Sequence, residues 1–422
     1  MKDAKRISDI EKNEMTKRRD LKILWSSNAP HANSGYSIEM RDLLFRLIAD
    51  GWPVAMSAFY GVQGGPAEIE YPSHLNPKFK GLKMKHYPIM TEPWGSDAMY
   101  FHGRDFKANV VFSMQDVWVL EPSYLSKIPA FIPWFPVDKE PIPPNVLDKL
   151  RYAYKIMCFS KFGYDQLLKH GFSSTFITEG TDVDIFKPGD RMEARKKLGL
   201  PPDNFYFSMV GANKENPPRK GYQEALEAFK MFHDKHPEAA LLFHTQQRGQ
   251  GGFPIKEYAN HLGILNRTFF VDDYLSMFNS TSDVIATEYQ ACNAQLHPSQ
   301  TEGFGLGIIE AQACGIPTVV QRCQSMPELV IDGKTGWIAE TMHKRFTSDL
   351  SFVHVADPKS VYDCMEKAYE AVKNDEAGVA KACRDWVVEN FNIDKLVETK
   401  WISFLEALQD ELLPLTPSPA SV

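Results

Sequence analysis

Cysteine is scarce in this chain of 422 residues: there are six, at positions 158, 292, 314, 323, 364 and 383, and no two form a C-x-x-C pair. That scatter argues against a disulfide framework or a zinc site and suits reduced thiols in a cytoplasmic enzyme. Long apolar runs are missing as well. Ala130–Val137 and Ile316–Val320 fall far short of the ~20 residues a membrane-spanning helix needs. The first residues mix Lys2, Lys5 and Arg6 with Asp3, Asp9 and Glu11, without an apolar segment or small-residue cleavage site, so no secretory leader is expected. No basic tract occurs, and 47 Lys plus Arg against 54 Asp plus Glu leave a net charge of −7. Overall charge therefore gives nucleic-acid binding no support, although a local basic groove is compatible with it. No internal sequence repeat is visible.

Apolar residues make up 43% of the chain, enough to offset the entropy of ordering most of it. The length fits roughly two to three domains. A rhythm of short β-rich runs, turn clusters and helical stretches fills the first half. Strands are expected at 21–25, 54–60, 109–115, 130–137, 155–160 and 175–179, with helices over 37–50, 144–154 and 161–170. Most strands are apolar on both faces, as in a doubly wound parallel sheet. The proline-rich stretch 184–202, with a short charged helix inside it, breaks the rhythm. A second series follows: strands at 206–212, 239–245, 268–271, 294–299 and 318–321, helices at 222–235, 282–291 and 305–314. From Pro358 the chain reads as two or three amphipathic helices. The last ten residues and residues 1–20 read as frayed.

The stretch His297–Pro317 carries the chemistry. A strand ends near Ser299, a polar loop holds Glu302, and Gly303 and Gly305 allow the backbone close to a ligand. The helix that follows points its free N–H groups at whatever lies above the loop, which makes an anion site suited to a diphosphate. Glu302 and Glu310 accept hydrogen bonds, so beside an anion they suit the hydroxyls of sugar and ribose rings. A plain strand-to-helix turn with two solvated glutamates is the alternative.

Glu302 and Glu310 form a Glu-x7-Glu pair around Gly-Phe-Gly-Leu-Gly, followed by Glu-Ala-Gln-Ala-Cys-Gly-Ile-Pro. This resembles the signature of retaining glycosyltransferases of family 4, which have the GT-B fold. Further pieces agree. Arg219-Lys220-Gly221 after Gly211 is similar to the segment that grips the donor diphosphate. Thr178–Pro188 is similar to the family's domain junction, and Met326–Leu329 and Asp332–Gly336 to later segments. The resemblance covers about residues 21–395.

It implies an α/β protein of the GT-B type: two Rossmann-like domains facing across a cleft, with a C-terminal helix crossing back. The expected divisions are a charged extension 1–20, an acceptor domain 21–187, a donor domain 188–395, and a C-terminal helix and tail 396–422. A nucleotide-diphosphate sugar would be the co-substrate. Lys220 and Arg219 would neutralise its diphosphate, and backbone N–H groups around Gly303, Phe304, Gly305 and Leu306 would cradle it. Glu302 would contact the transferred sugar and Glu310 the ribose. Asn33–Ser37 is similar to the glycine-bearing loop of the first domain, reduced here to Gly35. Asp138 stands where family members often carry a sugar-contacting His. A carboxylate capping the next helix is its other reading, and Gln115 and Asp116 are runners-up. Where members often carry an Arg after the first strand of the donor domain, Ala212-Asn213-Lys214 stands, so Lys214 is a candidate substitute.

No metal or other cofactor is implied. Asp182-Val183-Asp184 looks like an Asp-x-Asp metal motif but lies at the domain junction, and Asp272-Asp273 fares no better. The loops after Thr245 and Val271 are expected at the nucleobase, and 246–253 is a candidate lid around Arg248. Phe59-Tyr60, Trp118 and Trp134-Phe135 suit either stacking or core packing; His31 and His102 read as structural. The expected reaction moves a hexose-type sugar, with retention, to an acceptor hydroxyl on a glycan, lipid, protein or hydroxylated nucleobase. A sugar-nucleotide epimerase or hydrolase, and a catalytically silent glycan-binding or scaffold module, are the rivals.

Overall fold

The computed structural model describes residues 18–32, 34–60, 63–247, 251–273 and 280–414. Arg248, most of the extension 1–20 and the end of the tail lie outside the described residues.

The first sheet has eight strands: β1 (Ile23–Asn28), β2 (Val54–Tyr60), β3 (Ala67–Glu70), β4 (Lys83–Tyr87), β5 (Val110–Ser113), β6 (Phe131–Phe135), β7 (Met157–Cys158) and β8 (Thr175–Phe176). Their spatial order is β3-β4-β2-β1-β5-β6-β7-β8, and all pairings are parallel except β3 with β4. The second sheet holds β9 (Phe205–Val210), β10 (Ala239–His244), β11 (Thr268–Phe270), β12 (Ala294–His297), β13 (Thr318–Gln321) and β14 (Gly336–Ala339). Its order is β11-β10-β9-β12-β13-β14, parallel throughout. Each sheet thus begins in the middle and reverses direction beside its first strand. Such a switch point leaves a crevice at the carboxyl ends of the strands, where α/β proteins bind ligands.

Strands such as β1 and β10 are buried along almost their whole length because helices cover both faces. The helices that matter here are α1 (Gly35–Ala49), α2 (Ser96–Phe106), α3 (Pro144–Leu150), α4 (Lys161–Lys169), α5 (Arg191–Lys197), α6 (Tyr222–Lys235), α7 (Ser282–Ala291), α8 (Leu306–Ala313), α9 (Pro358–Asn390) and α10 (Ile402–Leu412). A two-stranded antiparallel hairpin, β15 (Thr341–Phe346) and β16 (Phe352–Ala356), stands apart from both sheets.

Several expectations need correction. The strand expected over 155–160 is only Met157–Cys158, because Ser160 turns to cap α4, its Oγ accepting from Gly163 N at 3.0 Å. The strand expected over 130–137 stops before Pro136. β3, β4, α2, β14 and the hairpin were not expected. β3 and β15 are largely exposed and alternate weakly, so they give little periodic signal. In the tail, α9 contains a non-helical residue, Asp375, whose side chain accepts from Gly378 N at 2.9 Å and starts the helix afresh.

α10 crosses back onto the first sheet. Trp401, just before it, is fully buried, with ring centroids 4.9 Å from Trp134 and 5.6 Å from Trp25. Gln409 Oε1 accepts from the backbone N–H groups of Asp20 and Leu21 at 2.7 and 3.2 Å. The Trp134 indole donates to Ile177 O at 2.9 Å, so Trp134 is core and not a stacking surface. Other contacts bridge the two sheets. Glu328 accepts from Lys161 N and Phe162 N at 2.8 and 2.6 Å, which places a second-sheet carboxylate at the N-terminus of α4.

Candidate functional site

The site forms where the loops after β9 and β12 meet the loops after β1, β5 and β6. Gly221, which opens α6, has φ +68°, and a Cβ there would stand 2.1 Å from Pro298 O. Glycine is therefore required for the two loops to touch. Backbone contacts stitch them further: Gln300 N donates to Arg219 O at 2.7 Å, and Arg219 Nη1 to Thr301 O at 2.8 Å. The sequence 219–221 and the sequence 298–302 are thus one rigid unit at the end of the sheet.

That unit gathers charge. Lys220 Nζ is ion-paired with Glu302 Oε1, Arg219 Nη1 lies 3.4 Å from Glu302 Oε2, and His297 Nε2 lies 3.2 Å from Glu302 Oε1. Glu302 is 7% exposed. Burial by itself would raise its carboxyl, but Lys220, Arg219 and the His297 bond outweigh burial and hold it well below the usual range. Beyond Glu302 the chain turns into α8 through Gly305, at φ +123°. The first N–H groups of α8 have no intrahelical partner, and Gly305, Leu306 and Gly307 are partly open. Ser325 Oγ lies 3.0 and 2.7 Å from the carbonyls of Glu302 and Phe304 and fixes this turn from below.

The first sheet supplies the facing wall. A Cβ on Gly35 would stand 3.4 Å from Leu306 Cδ1, so the start of α1 looks across at the tip of α8. Ser34 caps α1, its Oγ accepting from Ser37 N at 3.2 Å. Gly303 has the closer approach, since a Cβ there would fall 2.3 Å from Pro136 Cβ. The Phe304 side chain is buried between Phe159 and Phe391, so it serves packing while its backbone serves the loop.

Glu310, in α8, is buried and accepts from Tyr289 OH at 3.4 Å. Burial, helped by Asp42, raises its carboxyl to about 7. Asp138 lines a cavity and senses Lys139, Arg219 and Glu302 electrostatically. Burial raises its carboxyl. It does not cap α3, whose N-cap position is Pro143 with no side-chain bond. Asp116 lines the same cavity, its carboxyl raised to about 6 by burial and by Asp138. The Gln115 side chain is buried. Lys214 is exposed on the loop after β9.

Three residues of this region escaped sequence reasoning. Half-buried Tyr36 in α1 is flanked electrostatically by Asp116, Glu179, Asp138 and Arg219. Glu179, just before the domain junction, is buried; burial and then the neighbouring Glu302 and Glu310 raise its carboxyl well above the usual range. Glu39, also buried and raised by burial and by Glu179, accepts from Gly180 N at 3.3 Å. Glu179 sits inside the junction motif, which was the available signal. Glu39 and Tyr36 had none beyond their closeness to Gly35.

The Asp-x-Asp pair has another use. Asp182 accepts from Arg46 Nη2 and Asn76 Nδ2, both at 2.9 Å, and Asp184 from Lys78 Nζ at 2.6 Å. His102 bonds Ser57 Oγ at 2.9 Å and stacks on Tyr87. Among the described residues no group of three His, Cys, Asp or Glu side chains is arranged to hold a metal ion. Among the same residues, no helix is long and apolar enough to cross a membrane.

Residues 190–370 match the family model described as Glycosyl transferases group 1. The chain is 33% identical over 162 residues to D-inositol 3-phosphate glycosyltransferase 2 of Catenulispora acidiphila, covering 38% of this chain and 37% of that protein. It is 35% identical over 160 residues to D-inositol 3-phosphate glycosyltransferase of Mycobacterium leprae, covering 37% and 34%. The chain thus spans little more than a third of the length of the curated relatives it matches. Among solved structures, sucrose-phosphate synthase from Thermosynechococcus elongatus aligns over 92% of this chain and 99% of its own, at 18% identity and a TM-score of 0.69. Anabaena HepE in complex with UDP and glucose aligns over 92% and 100%, at 16% identity and a TM-score of 0.64. The fold is GT-B, with two Rossmann-like domains.

Proposed function

We propose that this chain is a retaining, nucleotide-sugar-dependent glycosyltransferase that moves a hexose-type sugar to an acceptor hydroxyl. The observation that carries the reading is the union of Arg219, Lys220 and the open first turn of α8 around one buried carboxylate, Glu302. Cations and helix-tip N–H groups suit a diphosphate, and a carboxylate held ionised beside them suits the hydroxyls of the attached sugar. The group 1 match over residues 190–370 covers this whole unit. The curated relatives bear glycosyltransferase names, and HepE was solved with UDP and glucose.

In this reading the bond between the anomeric carbon and the diphosphate oxygen breaks as the acceptor oxygen bonds that carbon. The acceptor proton leaves with the departing phosphate. Lys220 and Arg219 strengthen their contact as charge builds on that phosphate, and so lower the barrier rather than merely bind donor. Glu302 is ion-paired with both cations, and in this reading the diphosphate joins it beside them. Glu310, poised near 7, either donates to or accepts from a ribose hydroxyl. The reading asks for no divalent ion, because the two cations and the helix tip carry the neutralisation. It also takes the protein to be cytoplasmic, as the six buried free cysteines favour.

The test is thermal shift and turnover with UDP-, GDP- and ADP-sugars, with and without EDTA. One nucleotide series should bind, and Lys220→Ala should weaken it by about 10- to 100-fold, the worth of a charge-assisted contact. Glu310→Ala should weaken it as well, and NMR of the product should show the donor's anomeric configuration. Unchanged binding and turnover in both variants would refute the assignment. Free sugar released from donor alone, at the rate seen with acceptor, would favour the hydrolase instead.

A further inference from the structure

The cavity beside Asp138 has about 300 Å³, and none of Arg219, Lys220, Glu302 and Leu306 lines it. Asp116, Trp118, Phe135 and Asp138 wall it from the loops after β5 and β6, and Ser348 and Asp349 close it from the tip of the β15–β16 hairpin. The hairpin is pinned in place. Asp349 is ion-paired with Lys139, Lys344 Nζ lies 2.6 Å from Glu140 Oε1, and Phe352 N donates to Glu140 O at 3.2 Å. Asp349 also accepts from Ser351 Oγ at 2.7 Å, which orders the tip itself.

Two properties of this cavity select a ligand. Trp118 is 51% exposed and stands in the wall. Among the described residues that line the cavity, Lys139 is the one cation, and Asp349 already engages it. Lys139 and Arg219 are the cations that act on Asp116 and Asp138, and Arg219 is itself committed to Glu302 and Thr301 as Lys139 is to Asp349. A pyranose ring suits such a wall: its C–H face lies on the indole and its hydroxyls donate to the carboxylates. A phosphate ester would bring like charge against both aspartates.

We propose that this cavity is the acceptor subsite and that it takes an uncharged saccharide in preference to a phosphorylated one. The inference rests on the transferase reading, since Thr301, next to Glu302, donates its hydroxyl to the carbonyl of the cavity residue Asp138. Its test does not, because it is run without any nucleotide sugar. Saturation-transfer NMR on the full chain compares methyl α-glucoside, maltose and lactose with glucose 6-phosphate and maltose 1-phosphate. At least one neutral sugar should bind, and about tenfold more tightly than its phosphorylated counterpart. Trp118→Ala, at an exposed position that should not disturb folding, should weaken neutral-sugar binding roughly fivefold. Asp116→Asn should narrow the gap between neutral and phosphorylated sugars. Lys220→Ala should leave saccharide binding intact, which separates this subsite from the donor site. Binding of the phosphorylated sugars as tight as that of the neutral ones overturns the inference. So does indifference to Trp118→Ala, or the failure of every neutral sugar to bind. Loss of donor turnover with saccharide binding retained would count only against the transferase reading.

Discussion

Glu302 is ionised because Lys220 and Arg219 keep it so, and the dependence can be measured in both directions. Truncating Lys220→Ala leaves a buried carboxylate with Arg219 and His297 alone. Both partners keep some solvent contact, so a loss of about 1–3 kcal/mol is expected in urea unfolding, below the cost of breaking a fully buried pair. Because the folded carboxyl lies below its unfolded value, the contribution of Glu302 is present above the unfolded carboxylate range and fades as pH falls through the folded value. Glu310 has the opposite sign. Its folded value near 7 exceeds the unfolded one, so the folded state binds the extra proton between about pH 4.5 and 7. Its effect on stability is therefore unfavourable as pH rises through that window, by up to about 3 kcal/mol. Glu310→Gln should lessen the slope of this part of the stability–pH curve, to which Asp116 also contributes. A variant with the parent's full slope would show that Glu310 does not titrate there. At this scale the sequence was most legible where residues are close along the chain. Arg219 and Lys220, and the pair Glu302 and Glu310, stand in compact motifs. Glu39 meets Gly180 across 141 positions, and no local pattern points to such a partner.

Gly221 and Gly303 show how elements are brought together by what is missing from a side chain. At Gly221 the left-handed backbone and the close approach of Pro298 O both exclude a Cβ. Gly221→Ala should displace the Arg219-Lys220 segment from the loop of Glu302. The expected result is donor affinity reduced about tenfold or more, with a stability loss of about 1–3 kcal/mol typical of overpacking. At Gly303 the obstacle is Pro136, in the loop just after β6 of the other sheet, so Gly303→Ala should push the two halves apart at the cleft. It should lower turnover with less effect on nucleotide affinity measured alone; equal losses in both would place the damage within the second domain. The elements read most closely are buried ones, although the buried β14 and β16 were not expected. β2, β13, α6 and α7 were read to the residue, because apolar runs bounded by turn residues define them. In the hairpin, β15 was missed because its residues are mostly polar and exposed, whereas β16 is buried and mostly apolar and was missed all the same.

Each sheet has a buried cluster of its own, with Leu24, Phe131 and Phe135 in that of the first and Phe207, Phe243 and Leu296 in that of the second, and a further cluster is shared between them. The shared cluster runs from Trp25 and Met56 on the first sheet, through Phe304 and Ile308 at the cleft, to Tyr206 and Val320 on the second. Trp401 and Leu405 belong to the same cluster, so the returning C-terminal segment belongs to the interior of the first domain. The sequence predicted a helix crossing back from resemblance alone; the physical reason is that Trp25, Phe112 and Trp134 would otherwise present an aromatic face to water. Trp401→Ala should accordingly cost about 3–5 kcal/mol, the usual range for removing a fully buried Trp. Because the cluster is continuous, that loss should lower the midpoint of a single urea transition followed both by tryptophan fluorescence and by far-UV circular dichroism. Two separated transitions in the variant, with the first domain melting early and the second unmoved, would mean that the shared cluster does not couple the halves. Donor affinity supplies the complementary reading. The cations and the helix tip lie wholly on the second sheet's loops, so binding of the nucleotide under native conditions should be little changed while the cleft still forms. On the proposed function turnover should fall further than affinity, since the proposed transfer needs the first domain's wall held against α8 and the Trp401 packing helps to hold it there.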